Sequence, residues 1–217
     1  MSTRKISFLE GEFYHIYNRG NSKQKIFLDT KDYWRFIDLL YAMDREENFS
    51  FTDSLKSISV YEKDNKNPLV AIGAYCLMPN HFHILLTPLV ENGVSKFMQK
   101  LSTAYVMYFN QKYKRRGVFF QGKFQAQHAE EDRYLKYLFS YIHLNPIKLI
   151  QKDWKEVGIK NKNQAIKYLE EYEYSSFLDY TGVGRLQNKI LNTRPFPSYF
   201  PNKTSFLKEI FEWLSFK

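Results

Sequence analysis

Cysteine is almost absent from this chain of 217 residues: Cys76 is the only one, so no disulfide can form within it. A single thiol inside an apolar run reads as a small buried side chain, and the natural setting is a reduced, cytoplasmic one. No stretch reaches the ~20 consecutive apolar residues that a membrane helix requires. The start, Met1-Ser2-Thr3-Arg4-Lys5-Ile6-Ser7, has no apolar core of the kind a signal peptide carries. These absences lead us to expect a soluble, internal protein without a membrane partner. Acidic residues are also missing from one long stretch. Between Glu91 and Glu130 there is none, while Lys96, Lys100, Lys112, Lys114, Arg115, Arg116 and Lys123 all fall there.

What is present is basic and aromatic. Lys and Arg number 32 against 23 Asp and Glu, giving a formal charge of +9, which points to a polyanionic partner, nucleic acid first. Hydrophobic residues are 44% and aromatics 18% of the chain, so composition predicts a folded core rather than disorder. The length suits one domain with a tail.

The pattern along the chain predicts strand, helix, strand, strand, helix, strand, helix. Phe13 to Tyr17 reads as a first strand, closed by the turn formers Asn18-Arg19-Gly20-Asn21. Thr30 and Asp32 are placed to cap a helix bearing Tyr33, Phe36, Ile37, Leu40 and Met43. A hydrophilic insertion is expected from Asp53 to Pro68. Leu69 to Met78 and His81 to Leu86 read as antiparallel strands broken by Pro79-Asn80. A second helix follows Gly93, with Lys96 and Lys100 on its polar side. A strand is expected over Val118 to Gln127, and a third helix runs from the Glu130-Glu131-Asp132 cluster to Asn145, where Pro146 stops it. The last recognisable element is an amphipathic segment, Ser205 to Phe216, with Phe206, Ile210, Phe211 and Leu214. This order predicts an α+β domain with a ferredoxin-like (RRM-like) antiparallel sheet and helices packed on it. We expect a catalytic domain over residues 1–150 and a C-terminal extension over 151–217 packed on the same domain.

Chemistry concentrates in two motifs. His81-Phe82-His83 places two imidazoles at alternate strand positions, on one face, where both can reach a single metal ion. The bland alternative is a pair of core histidines, but an apolar strand gains nothing by burying two imidazoles without partners. About sixty residues on stands Tyr141-Ile142-His143-Leu144-Asn145-Pro146. On a helix Tyr141 and Asn145 share a face one turn apart, flanking a buried stripe of Leu135, Leu138, Phe139 and Ile142. His143 falls on the opposite flank and is the least suited histidine to join a metal site. Two imidazoles and an amide oxygen make an incomplete shell that does not select one ion, since imidazole suits transition metals and oxygen suits Mg²⁺ or Mn²⁺. A free phenol, with a pKa of about 10, is a poor nucleophile at neutral pH. A neighbouring ion that polarises a phosphate would supply what it lacks.

The residues Met78-Pro79-Asn80-His81-Phe82-His83-Ile84-Leu85 together with Tyr141-Ile142-His143-Leu144-Asn145-Pro146 resemble the REP-associated tyrosine transposases. These are single-tyrosine HUH (His-hydrophobic-His) transposases of bacterial insertion sequences. Tyr14-His15-Ile16-Tyr17-Asn18-Arg19-Gly20, Phe120-Gln121-Gly122-Lys123-Phe124 and Tyr174-Ser175-Ser176-Phe177 extend the resemblance over roughly residues 11 to 180. Lys123 stands where an arginine is common, residues 53–67 look like extra length, and the final forty or so residues have no clear counterpart in the family pattern.

The resemblance implies cleavage and rejoining of single-stranded DNA at hairpins. By that analogy His81, His83 and Asn145 hold Mg²⁺ or Mn²⁺, and Tyr141 forms a 5′-phosphotyrosine. Arg19 is expected to clamp a phosphate or nucleotide. Lys112, Lys114, Arg115, Arg116 and Lys123 are expected along the DNA backbone. Monomer and homodimer both remain open. The rival readings are a non-catalytic hairpin DNA- or RNA-binding protein of the same fold and a metal phosphodiesterase that uses water as nucleophile.

Overall fold

The computed structural model describes residues 7–47, 60–62 and 64–212. Four strands form one antiparallel sheet: β1 (Tyr14–Arg19), β2 (Val70–Met78), β3 (His81–Pro88) and β4 (Gln125–His128). Their order across the sheet is β2-β3-β1-β4. With α1 (Thr30–Ala42) after β1 and α2 (Gly93–Tyr113) after β3, this is the expected ferredoxin-like connection. α3 (Asp132–Leu144) follows β4. Among the described residues the remaining α-helices are α4 (Trp154–Val157), α5 (Lys162–Glu171), α6 (Phe177–Tyr180) and α7 (Lys203–Glu212).

Strand alternation divides the sheet into two unlike faces. Tyr14, Ile16, Ile72, Tyr75, Phe82 and Ile84 pack beneath α1 and α2 in the larger core. The opposite face carries Ala71, Ala74, Cys76, Met78 and Leu85, which receive α3 through Leu135, Leu138, Phe139 and Ile142. Small side chains on β2 let α3 lie close to the sheet. The bulge at Gly73 permits the change of phase between Ile72 and Ala74. A Cβ at Gly73 would sit 2.8 Å from the ring of Phe196, so this position has no room for a side chain.

Several boundaries differ from the sequence reading, each for a local reason. β1 runs on to Arg19, because its pairing with β3 extends to Arg19 opposite His81. The cap of α1 is Asp29, not Thr30 or Asp32. Asp29 accepts from the Asp32 amide while the Asp32 carboxylate accepts from the Asp29 amide, a reciprocal capping box. The expected strand from Val118 to Gln127 shrinks to Gln125–His128. Phe119 and Phe120 are consecutive yet both buried in the same core, which alternation forbids in a strand, and Gly122 turns the chain at φ +89°. Pro146 ends α3 but not the helical path, which continues as a 3-10 turn over Asn145–Leu149. Half of the expected insertion, residues 53–59 and 63, and Leu214 of the terminal segment lie outside the described residues.

The C-terminal extension covers the outer edge of β2. Tyr174-Ser175-Ser176 runs beside it: Leu77 N–H donates to the Tyr174 carbonyl (2.9 Å), and Ser176 N–H donates to the Tyr75 carbonyl (3.0 Å). An exposed β2 edge would be a template for aggregation, and this segment closes it. Arg185 fastens the cover. Its Nε donates to Asp179 (2.9 Å), Nη1 to the Glu173 carbonyl (2.8 Å) and Nη2 to the Ser175 carbonyl, with the Asp179 side chain fully buried.

Arg185→Met leaves a buried carboxylate unpaired, so it is expected to destabilise the fold by about 3–5 kcal/mol. Urea unfolding at pH 7 measures this, and adding Asp179→Leu should restore much of the loss. A drop of less than about 1 kcal/mol in the single variant would mean the pair contributes no more than a surface ion pair.

Candidate active site

On β1, alternation turns His15, Tyr17 and Arg19 to the α3 side of the sheet. Register then places Tyr17 opposite His83 and Arg19 opposite His81. The three histidines thus converge from two neighbouring strands. His15 Nε2 lies 2.9 Å from His83 Nδ1, one ring donating its N–H to the other. The His81 and His83 rings meet edge to face at 5.0 Å, and His81 Nδ1 lies 2.7 Å from the Asn80 amide oxygen. His83 is buried, and its Nε2 has no hydrogen-bond partner.

α3 brings the second motif over this face. Tyr141 sets its ring edge-on to His83 at 5.4 Å and to His15 at 5.8 Å. One turn on, buried Asn145 donates Nδ2 to the Tyr141 carbonyl (3.2 Å), and its side chain lies beside the His81 ring, whose charged form it favours. His81, His83, Tyr141 and Asn145 therefore meet as the two motifs suggested. Tyr134, Tyr137 and Tyr141 stack in succession at 5.9 Å along the exposed flank of α3. His143 is on the other flank, fully buried, with its Nε2 2.8 Å from Ser176 Oγ. Its place is structural.

Burial governs the charge of these imidazoles. It brings the His15 pKa down to about 4, with help from the Lys155 ammonium. His81 also falls to about 4, through burial and then Lys148. His83 is held well below the usual histidine range by burial, and then by His15 and His81. All three are neutral at pH 7, so their free ring nitrogens offer lone pairs.

Two clefts open on this face. One, of about 360 Å³, lies between Tyr141, His83, Tyr17 and Lys155. The other, of about 910 Å³, is bounded by Arg19, Lys23, Asn80, His81, Lys148 and Lys152. Arg19 is held there by a hydrogen bond from its Nε to Gln121. Lys114, Arg116 and Lys123 are exposed, and the Arg115 guanidinium lies over the Phe119 ring at 5.7 Å. Lys112 departs from the expected phosphate track. Its ammonium is 2.8 Å from Asp29 and 2.7 Å from the fully buried side chain of Asp32, so its charge is already matched within the fold.

Among the described residues no group of three His, Cys, Asp or Glu side chains is placed to hold a metal ion. The donor set is instead two imidazoles and an amide. His83 Nε2, a buried ring nitrogen with no partner, is the observation that suits such a set to a divalent cation, for it is a free lone pair when His83 donates its Nδ1–H to His15. Sequence reading missed His15 and Lys155 as members of the site. His15 was legible through the period of β1, whereas nothing in the local sequence marks Lys155.

A four-stranded antiparallel sheet of this order with helices packed on it has known relatives. The solved structure of a REP-associated tyrosine transposase bound to a REP hairpin matches with a TM-score of 0.52. The match covers 86% of this chain and 90% of that chain at 13% identity, which establishes a shared fold. The family model of IS200-like transposases matches residues 13–145, a span that includes His81, His83, Tyr141 and Asn145. The chain belongs to this transposase family. A search of curated proteins gave no match.

The lowered histidine values can be checked directly. In an NMR pH titration of the metal-free protein, the His15 and His81 rings should stay neutral at pH 5.5 and protonate only near pH 4. The unfolded chain takes up these protons near pH 6.5, so stability should be full above that value and fall as pH drops towards 4. Titration of both rings near 6.5 would show them to be open to water.

Proposed function

We propose that this protein is a metal-dependent single-strand DNA endonuclease and strand transferase acting at hairpin-forming sequences through a covalent tyrosine intermediate. The observation that carries this reading is the packing of Tyr141 against His83 within one cleft, with Asn145 one turn away and beside His81. A hairpin-binding module has no need to assemble a phenol, two neutral imidazoles and an amide on one face. The solved relative of the same fold, bound to a REP hairpin, supports hairpin DNA as the substrate class.

The Tyr141 oxygen attacks the scissile phosphorus, and the bond from phosphorus to the 3′ oxygen breaks. The phosphate is then esterified to Tyr141 through the 5′ end of one strand. The 3′ oxygen leaves with a proton, balancing the one lost by the phenol. The reverse step, with a 3′-hydroxyl attacking the adduct, rejoins DNA, and the number of phosphoester bonds never changes. No external energy source is needed. His81, His83 and Asn145 would hold a divalent ion, Mg²⁺ or Mn²⁺. When bound it would supply Lewis-acid polarisation of the phosphate. His15 fixes the tautomer and direction of His83, the role that outer partners of metal-binding histidines commonly take. The cleft beside His81, with Arg19, Lys23, Lys148 and Lys152 on its rim, suits a phosphodiester backbone. Lys114, Arg115, Arg116 and Lys123 extend the basic surface away from the site.

The test uses single-stranded oligonucleotides spanning the hairpins that flank the gene, with Mn²⁺ or Mg²⁺, resolved on a denaturing gel. The unmodified protein should give a protein–DNA adduct and Tyr141→Phe none, while hairpin affinity is retained. His81→Ala and His83→Ala should each remove the metal-dependent cleavage. Cleavage without adduct would favour water as nucleophile, and binding without cleavage would favour the non-catalytic module.

His15→Phe keeps an aromatic ring in place but removes the partner of His83. Its affinity for Mn²⁺, read by electron paramagnetic resonance without DNA, should fall by about 10- to 100-fold. Unchanged affinity would mean that His15 does not orient a ligand.

A further inference from the structure

Lys155 lies beyond the residues that match the family, in the first helical turn of the C-terminal extension. Its ammonium stands 4.0 Å from the centre of the Tyr141 ring. The neighbouring Trp154 is buried among Leu144, Ile147 and Phe206, so the turn is moored to the end of the helix that carries Tyr141. Lys155 lines the same cleft as Tyr141, His83 and His15, and its charge acts on all three histidines.

That charge has no counterpart among the described residues. The cleft contains no Asp or Glu, and among the described residues no carboxylate forms an ion pair with Lys155. The nearby Asp153 instead takes Lys160, at 3.0 Å. A side chain with one aliphatic stem and one ammonium has been brought to the face of a phenol, beside neutral imidazoles, with the anion missing. Resting on the reading of Tyr141 as nucleophile, we infer that Lys155 is a further catalytic residue, whose ammonium meets the scissile phosphate as Tyr141 becomes joined to it.

Its contribution follows the charges through the step. The incoming phosphodiester carries one negative charge, and the five-coordinate phosphorus of the transition state gathers more on its outer oxygens. A cation within reach of those oxygens stabilises that gathering and then the single charge of the tyrosine phosphodiester. No proton moves to or from Lys155. The phenolic proton still ends, in net terms, on the departing 3′ oxygen. Exposure to solvent limits the effect, so it should be smaller than that of a buried oxyanion donor.

The experiment measures single-turnover adduct formation by the full-length protein with saturating hairpin oligonucleotide and Mn²⁺. It compares the unmodified protein, Lys155→Met and Lys155→Arg. Lys155→Met preserves the stem that packs near Tyr141 and should slow adduct formation by about tenfold. Lys155→Arg should recover most of the rate, and hairpin affinity should change by less than about twofold in both.

A second substrate, with a neutral methylphosphonate at the scissile position, separates charge from packing. On it, Lys155→Met and unmodified protein should react at the same rate, because the anion that Lys155 serves has gone. Equal rates on the natural phosphate would overturn the inference, as would an equal slowing on both substrates, which would make Lys155 a packing residue. Absence of adduct with unmodified protein would instead overturn the reading of Tyr141, and the role of Lys155 with it.

Discussion

The burial of His83 between the sheet and α3 is the constraint on which the site depends. An imidazole so placed is neutral, and each ring nitrogen must be satisfied from within the protein or stand at a cost of about 1–3 kcal/mol. His15 satisfies one nitrogen, and nothing among the described residues satisfies the other. The ring cannot turn to relieve this, because Tyr141 closes one side and Tyr17 is its cross-strand neighbour. A buried lone pair held in a fixed direction is a poor stabiliser of a fold and a good ligand. On the proposed reading, a bound cation would recover that cost, and the same packing that immobilises His83 also fixes Tyr141 relative to it.

The two faces of the sheet divide the remaining work. Beneath α1 and α2 the side chains are large and apolar, and even the polar groups there are closed on one another: Asp32 receives Lys112, Tyr108 and Tyr113. On the opposite face Ala71, Ala74 and Cys76 of β2 are small, which admits α3, and β1 and β3 present His15, Tyr17, His81 and His83 beside Leu85. A one-residue slip between β1 and β3 would turn one of the two strands over relative to the other and put Ile16 or Ile84 in the cleft. Register is thus the property that both core and site require, and it is enforced by the apolar face.

Much of this was legible from periodicity. Alternation in His81-Phe82-His83 and the spacing of Tyr141 and Asn145 placed all four side chains on the correct faces, because both depend only on local geometry. The antiparallel order followed from short turns. What escaped was set by contacts distant in sequence. His15 looked like one residue of a first strand until register set it diagonally across from His83. Lys112 looked like its basic neighbours until Asp29 and Asp32 were brought beside it from α1. Phe119 and Phe120 have the composition of a strand, but the core has room for both rings only if the chain leaves the sheet. Asp29 and Thr30 are both competent caps, and only the reciprocal bond to Asp32 separates them.

The C-terminal extension answers a difficulty that the ferredoxin-like core creates for itself. With β2 at one edge of the sheet and the short β4 at the other, the longest strand would be left open on its outer side. Covering it with Tyr174 to Ser176, and fastening the cover with Arg185 and Asp179, removes that edge. The route from the end of α3 to this cover must pass the mouth of the cleft, since α3 ends above the histidines. A chain taking that path delivers side chains to Tyr141 whatever its first duty. Trp154 anchors it inward, which leaves the next position, Lys155, directed at the phenol. On the proposed reading, the segment that protects an edge also brings one charge beside Tyr141, while the histidines beneath stay neutral. Attraction of the polyanion would then fall to the exposed cations at the rim, and the reacting phosphorus would meet uncharged ligands from the sheet and a single cation, Lys155, from the extension.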